Sequence, residues 1–147
     1  MKEIPVALSI PAKAEYLDMV RAVLFAVAGK TGFSYEEIED MKVAVTEACT
    51  NAILHAYGEA EEGSVHLTFS RSEGELCITV RDDGRSYLRR VNAPSTSTLH
   101  GLAISEATVG GLGIFMMEAL MDEVKVKTEN GTEVVLIKRM SRNEEMV

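Results

Sequence analysis

Apolar residues recur at helical spacing through two long stretches near the N-terminus, then alternate with polar ones in short runs, predicting helices followed by strands. Residues 4 to 10 read as a short strand ended by Pro11, which stands at a plausible first helical position. From Ala12 to Ala28 the period is helical, with a core stripe of Tyr16, Val20, Val23, Leu24 and Val27 and a stop at Gly29. Phe25 falls on the opposite side of that helix, near Asp18 and Arg21. Ser34 and Glu37 have the spacing of a capping box, Phe33 can staple onto Ile38, and the second helix is expected to run to Tyr57. Val65, Leu67 and Phe69, then Leu76, Ile78 and Val80, alternate as two strands joined by a turn at 72–74. A third helix opens at Gly110-Gly111-Leu112-Gly113 and runs to about Asp122. A hairpin turned by Asn130-Gly131, with strands at 124–128 and 132–138, closes the pattern. One apolar face per strand predicts an α/β (α+β) two-layer sandwich: a mixed, mainly antiparallel sheet with helices on one face.

The second helix carries an unusual polar stripe. At about 100° per residue, Glu47, Asn51 and His55 line one side, nearly opposite an apolar stripe of Ile38, Val45, Cys49 and Ala56. The stripe is flanked by Val43, Ala44, Ala48 and Leu54, where a solvated face would carry charge. A carboxylate and an amide among aliphatic neighbours predict a lined pocket.

Composition narrows the class. The 147 residues suit a single domain over 1–147. A net charge of −8 argues against direct nucleic-acid binding and suits a basic protein partner. Cys49 and Cys77 lie in periodic segments without CxxC spacing and read as small buried hydrophobes. With no long apolar run, no membrane span is expected and the location is read as cytoplasmic, so the Asn130-Gly131-Thr132 sequon is read as a turn. Residues 85–109 hold Pro94, a Ser/Thr cluster and no sustained period, as a functional loop does, and residues from about 141 to 147 are expected to fray. His55, His66 and His100 show no HExxH spacing, which disfavours a zinc site, and Met116, Met117 and Met121 read as helix packing.

Three places carry chemistry: Glu47 with Asn51, the strand-end run Asp82-Asp83-Gly84, and Gly110 to Gly113 entering a helix. Glycines before a helix let backbone N–H groups approach an anion with the helix dipole behind them. No GK[ST] follows, so this is not a P-loop, and GxGxxG is absent.

Taken in this order, with VTEACTNAILHAY, RDDG, GGLGIFMMEALMDEV and NGTEV as successive boxes, the chain resembles the GHKL family of ATP-binding folds. More narrowly, it is similar to the stand-alone anti-sigma-factor serine kinases of bacterial stress response and sporulation. The resemblance implies an ATP-dependent protein-serine kinase that holds a sigma factor and phosphorylates a Ser on an anti-sigma-factor antagonist. A non-catalytic module that binds ATP and sequesters a partner is the alternative. On the same ground, Glu47 would be the general base, and Asn51 would coordinate Mg²⁺ on the ATP phosphates. Asp82, with Gly84 and Thr132, would meet the adenine end, and Gly111 and Gly113 would face the phosphates. Residues 86–109 would form a lid. The related kinases carry an Arg shortly before the second glycine box, where Ala107, Thr108 and Val109 stand here. Arg89 or Arg90 in the lid is the expected substitute. A homodimer is also implied, with Arg21 and Phe25 on the first helix as candidate contacts with a second copy or with sigma.

Overall fold

The computed structural model of the protein describes residues 4–57, 63–83, 112–128 and 131–141. Five strands, β1 (Val6–Pro11), β2 (Ser64–Ser72), β3 (Glu75–Asp82), β4 (Glu123–Lys127) and β5 (Thr132–Arg139), form one sheet in the order β1-β2-β3-β5-β4. Each neighbouring pair is antiparallel, so the mainly antiparallel character is borne out, and no parallel pair occurs among the described residues. Helices α1 (Leu17–Thr31), α2 (Tyr35–Asn51) and α3 (Leu112–Leu120) contribute to the core on the inward face of that sheet.

The alternation seen in the sequence becomes that inward face. Val65, Leu67 and Phe69 of β2 and Leu76, Ile78 and Val80 of β3 are all buried, beside Val134 and Leu136 of β5. Val20, Leu24 and Val27 of α1 cover them as expected, whereas Tyr16 and Val23 are only half-buried and Leu17 and Ala28 join the core instead. The Ser34–Glu37 capping box forms in both directions, at 3.1 Å and 2.8 Å.

Several boundaries move for identifiable reasons. Pro11 is the last residue of β1 rather than the first of a helix; on an edge strand its missing N–H costs no ladder bond. A short 3₁₀ turn, Ala14–Tyr16, precedes α1. Helix α1 passes Gly29 and ends at Gly32, whose φ of 109° is left-handed and whose N–H bonds the carbonyls of Ala28 and Gly29. A glycine stops a helix only where the chain needs that conformation. Helix α3 ends at Leu120, short of Asp122. The Ser141 N–H donates to Glu37 Oε2 at 2.9 Å, tying the end of β5 to the start of α2, and residues 142–147 of the expected frayed tail lie outside the described residues.

The largest difference lies beyond Asn51. There α2 gives way to π-helical winding over Ala52–Tyr57, so the predicted α-helical register from Glu47 through Asn51 to His55 does not persist. A π turn inserts one residue per loop without changing residue types, so a hydrophobic period does not announce it. The side chain of His55 lies outside the described residues.

Candidate active site

Helices α2 and α3 run antiparallel, side by side. Gly113, at the start of α3, lies against Glu47 and Asn51, while at the other end the Lys138 ammonium donates to Leu120 O at 2.8 Å and reaches Asp40 Oδ2 at 4.0 Å. The Gly113 contact is close enough that a side chain there would displace the ends of both side chains. A Cβ there would stand 2.8 Å from Glu47 Oε1 and 3.1 Å from Asn51 Nδ2. A glycine is therefore needed for the carboxylate and the amide to lie where they do.

The facing wall is built by the sheet. Asp82 ends β3 and pairs in register with Thr132, the first residue of β5. Both side chains lie on the inward face, only 3% and 5% exposed. Gly131 enters β5 with φ 100°, and a Cβ on it would overlap the carbonyl of Asp82. The turn thus brings the two strand ends into backbone contact, as only glycine permits. Between the walls is a narrow cleft lined by Ala48, Asn51, Ala52, Val80, Asp82, Ile114, Thr132 and Val134.

Sequence reasoning placed Glu47, Asn51, Asp82, Gly113 and Thr132, and the structure brings these into one region. Glu47 and Asn51 stand at Gly113, and Asn51, Asp82 and Thr132 share the cleft. Gly84, Gly111, Arg89, Arg90, His100 and the whole 86–109 segment lie outside the described residues. The apolar lining from Ala52, Ile114 and Val134 was missed. The available signal was position: each is adjacent to or two residues from a predicted site residue, and each faces inward.

Other expectations are corrected. Ala44 and Ala48 are buried beside the polar pair as predicted, but Val43 and Leu54 are exposed and do not line the cleft. Met117 and Met121 pack into the core, whereas Met116 is exposed. Arg21 is not a free surface cation. Its Nη1 donates to Thr46 Oγ1 at 3.3 Å, between α1 and α2, while Phe25 is 54% exposed. Cys49 is buried as expected, and Cys77 is half-exposed. Burial pushes the Cys49 thiol up to about 12 against the pull of the Arg21 cation, so it is no nucleophile at neutral pH. His66 lies off the inward face of the sheet, with Nδ1 2.7 Å from Ser9 Oγ and Nε2 3.8 Å from Asp83 Oδ2.

The donor set suits a nucleotide on one direct observation. The Thr132 hydroxyl is buried with no hydrogen-bond partner among the described residues, and it lines the cleft beside the Asp82 carboxylate. An orphaned buried hydroxyl is costly unless a ligand completes it.

Comparison with known proteins agrees with this geometry. Residues 10–138 match the family described as the histidine kinase-like ATPase domain. The chain is 37% identical to the serine-protein kinase RsbW of Bacillus subtilis, over 92% of this chain and 86% of that protein. It is 41% identical to the Bacillus licheniformis protein of the same name, over 90% and 83% of the two chains. Among solved structures, the RsbU and RsbW domains of a Mycobacterium tuberculosis protein superpose with a TM-score of 0.68 at 22% identity. That match covers 95% of this chain and 33% of the other, and it establishes the shared fold. The chain therefore belongs to the histidine kinase-like ATPase family and, within it, to the serine-protein kinases of the RsbW type.

Proposed function

We propose that this protein is an ATP-dependent protein-serine kinase and anti-sigma factor, which sequesters a sigma factor and phosphorylates a Ser on an anti-sigma-factor antagonist. The observation that carries the reading is the meeting of Glu47 and Asn51 at Gly113, beside a cleft whose buried end holds Asp82 and Thr132. Asp82 and Thr132 supply an acceptor and a hydroxyl to the adenine end, in a setting dry enough to make each hydrogen bond selective. Gly84 would allow close approach there. Asn51 offers an amide oxygen, the hard ligand that Mg²⁺ prefers. Gly111 and Gly113 offer backbone N–H groups at the start of α3, where the dipole favours phosphate. Bound Mg²⁺–ATP would supply the phosphoryl group and neutralise its charge.

Glu47 does the proton chemistry. Its carboxylate takes the proton from the acceptor seryl hydroxyl as that oxygen becomes nucleophilic, a role that contributes about 10²- to 10⁴-fold in rate. Arg89 or Arg90 would provide the cation that related kinases place before the second glycine box, and residues 86–109 would close over the site. The protein would act in the cytoplasm as a homodimer, with α1, through Phe25 and the partly covered Arg21, as the contact with a second copy or with sigma.

Transfer of label from radiolabelled ATP to a Ser of a candidate antagonist tests the activity, and absence of transfer with intact Mg²⁺–ATP binding would reject it. That result would favour a second reading, a sequestering module that uses ATP only as a structural ligand. The run Ala107-Thr108-Val109, which holds no cation, is the observation on its side. Alanine at both Arg89 and Arg90 is expected to slow transfer; an unchanged rate would remove both from the role.

A further inference from the structure

The two edges of the sheet are built differently. Strand β4 carries Glu123, Lys125 and Lys127 within five residues, and Glu123 pairs with Lys125 and Arg139, as suits an edge that must not pair further. Strand β1 carries no charge and is bracketed by Pro5 and Pro11. Its register shows which backbone groups face outward. The Ala12 N–H donates to Gly63 O at 2.8 Å, one step beyond the Pro11–Ser64 pair, so the even-numbered residues bond β2 and the odd-numbered ones point to the open side. Neither proline has an N–H, and the Pro11 carbonyl accepts from the Lys13 N–H at 2.7 Å. The open ladder is therefore the N–H and C=O of Ala7 and of Ser9, and among the described residues no hydrogen bond reaches these four groups. The side chains beside it are apolar and incompletely covered. Val6, Leu8 and Ile10 pair with the buried Phe69, Leu67 and Val65, yet Val6 is 42% exposed and Leu8 is half-buried.

We infer that β1 pairs with β1 of a second copy of this chain, antiparallel and centred on Leu8, to make one ten-stranded sheet. The bracket is its own complement. With Leu8 opposite Leu8, Ala7 of each strand faces Ser9 of the other and all the open groups are used, while Pro5 meets Pro11 with no N–H to lose. Moving the centre to Ala7 or to Ser9 sets a proline opposite Ser9 or Ala7, whose carbonyl then lacks a donor. The same pairing lays Ile10 of one copy beside the uncovered Val6 of the other. In a chain of net charge −8, this seam is where two copies meet without a carboxylate on either strand. The inference rests on the homodimer proposed above and gives it a seam.

Sedimentation of the full chain over about 1–100 μM measures the dimer. Ala7→Pro removes a donor that β1 does not use within its own sheet. It should raise the dimer dissociation constant at least about tenfold and leave the far-ultraviolet circular dichroism unchanged. Leu8→Cys should give a disulfide-linked dimer on mild oxidation, because residues directly opposite across this ladder stand about 4.5 Å apart. Val6→Cys should not, since its two copies would lie about 14 Å apart. The wild-type chain, whose Cys77 is half-exposed, sets the background for both. No cross-link through Leu8, a cross-link through Val6, or a dimer undisturbed by Ala7→Pro overturns the seam and leaves the homodimer standing. If Ala7→Pro fails to fold, the two cysteine variants decide. A wild-type chain that stays monomeric throughout overturns the homodimer and the seam with it.

Discussion

The two walls of the cleft are made of similar residue types and differ in their access to water. On the sheet side, Asp82 and Thr132 are pinned by strand register and by Gly131 pressing on the Asp82 backbone, and both are almost wholly buried. On the helix side, Asn51 and the neighbouring Glu47 are only partly buried and lie close against Gly113. A buried, fully fixed pair suits recognition, because an unmatched ligand leaves polar atoms stranded at a cost of about 1–3 kcal/mol each. A half-open carboxylate suits the base role proposed for Glu47, because a general base takes its proton from a group that enters and leaves. The division of labour follows from burial more than from chemistry.

That contrast can be broken at several points. The largest effect is expected for Glu47→Gln, which should cut phosphoryl transfer about 100-fold or more while changing Mg²⁺–ATP affinity less than about threefold. Full transfer by this variant would erase the distinction between the walls. Asp82→Asn should do the opposite, weakening nucleotide binding about 10- to 100-fold in calorimetry. Gly131→Ala should destabilise the fold by about 2–4 kcal/mol in urea melts, because both its φ and the Asp82 carbonyl exclude a Cβ. Thr132→Val sharpens the comparison. With an orphan hydroxyl removed, stability without nucleotide should stay level or rise by up to about 1 kcal/mol, while nucleotide affinity falls roughly 3- to 10-fold.

The smallest effect lies away from the cleft. Burial raises the Glu37 carboxyl, but the N–H groups and hydroxyls of Ser34 and Ser141 outweigh it and hold its pKa below the ordinary value. A lowered folded pKa stabilises the protein above the unfolded value, about pH 4.3, and that contribution disappears as pH falls through the folded value. Glu37→Gln should therefore flatten the acid limb of a stability–pH curve and leave the neutral region little changed.

How much of this was legible in the sequence depended on whether a feature is local. The strands were readable because one alternation, Leu76 to Val80, specifies a face directly. The capping box was readable because Ser34 and Glu37 satisfy each other within one turn. Glu47, Asn51, Asp82 and Thr132 could be nominated from type and order. What escaped depends on tertiary placement. Gly29 and Gly32 are equally good stops by composition, and only the path into α2 selects the second. Val43 looked like pocket lining because helical spacing put it beside Glu47, but it faces out. The close approach of Gly113 appears only when α3 is laid against α2, since the atoms that a Cβ would crowd come from 60 or more residues earlier.

The sheet order has a consequence for the life of the chain. Strand β5 follows all the other strands in sequence yet sits between β3 and β4, and its first residue, Thr132, completes the pairing with Asp82. On the ribosome, every element before it emerges first, but the buried end of the cleft has no second half until residues beyond 131 are free to insert. On the reading proposed above, a nascent chain would therefore take up nucleotide only once the sheet is closed, and nucleotide occupancy would report a finished fold. Because insertion of a central strand from a distant part of the sequence is slow, Mg²⁺–ATP should act late, trapping the closed sheet rather than guiding its assembly.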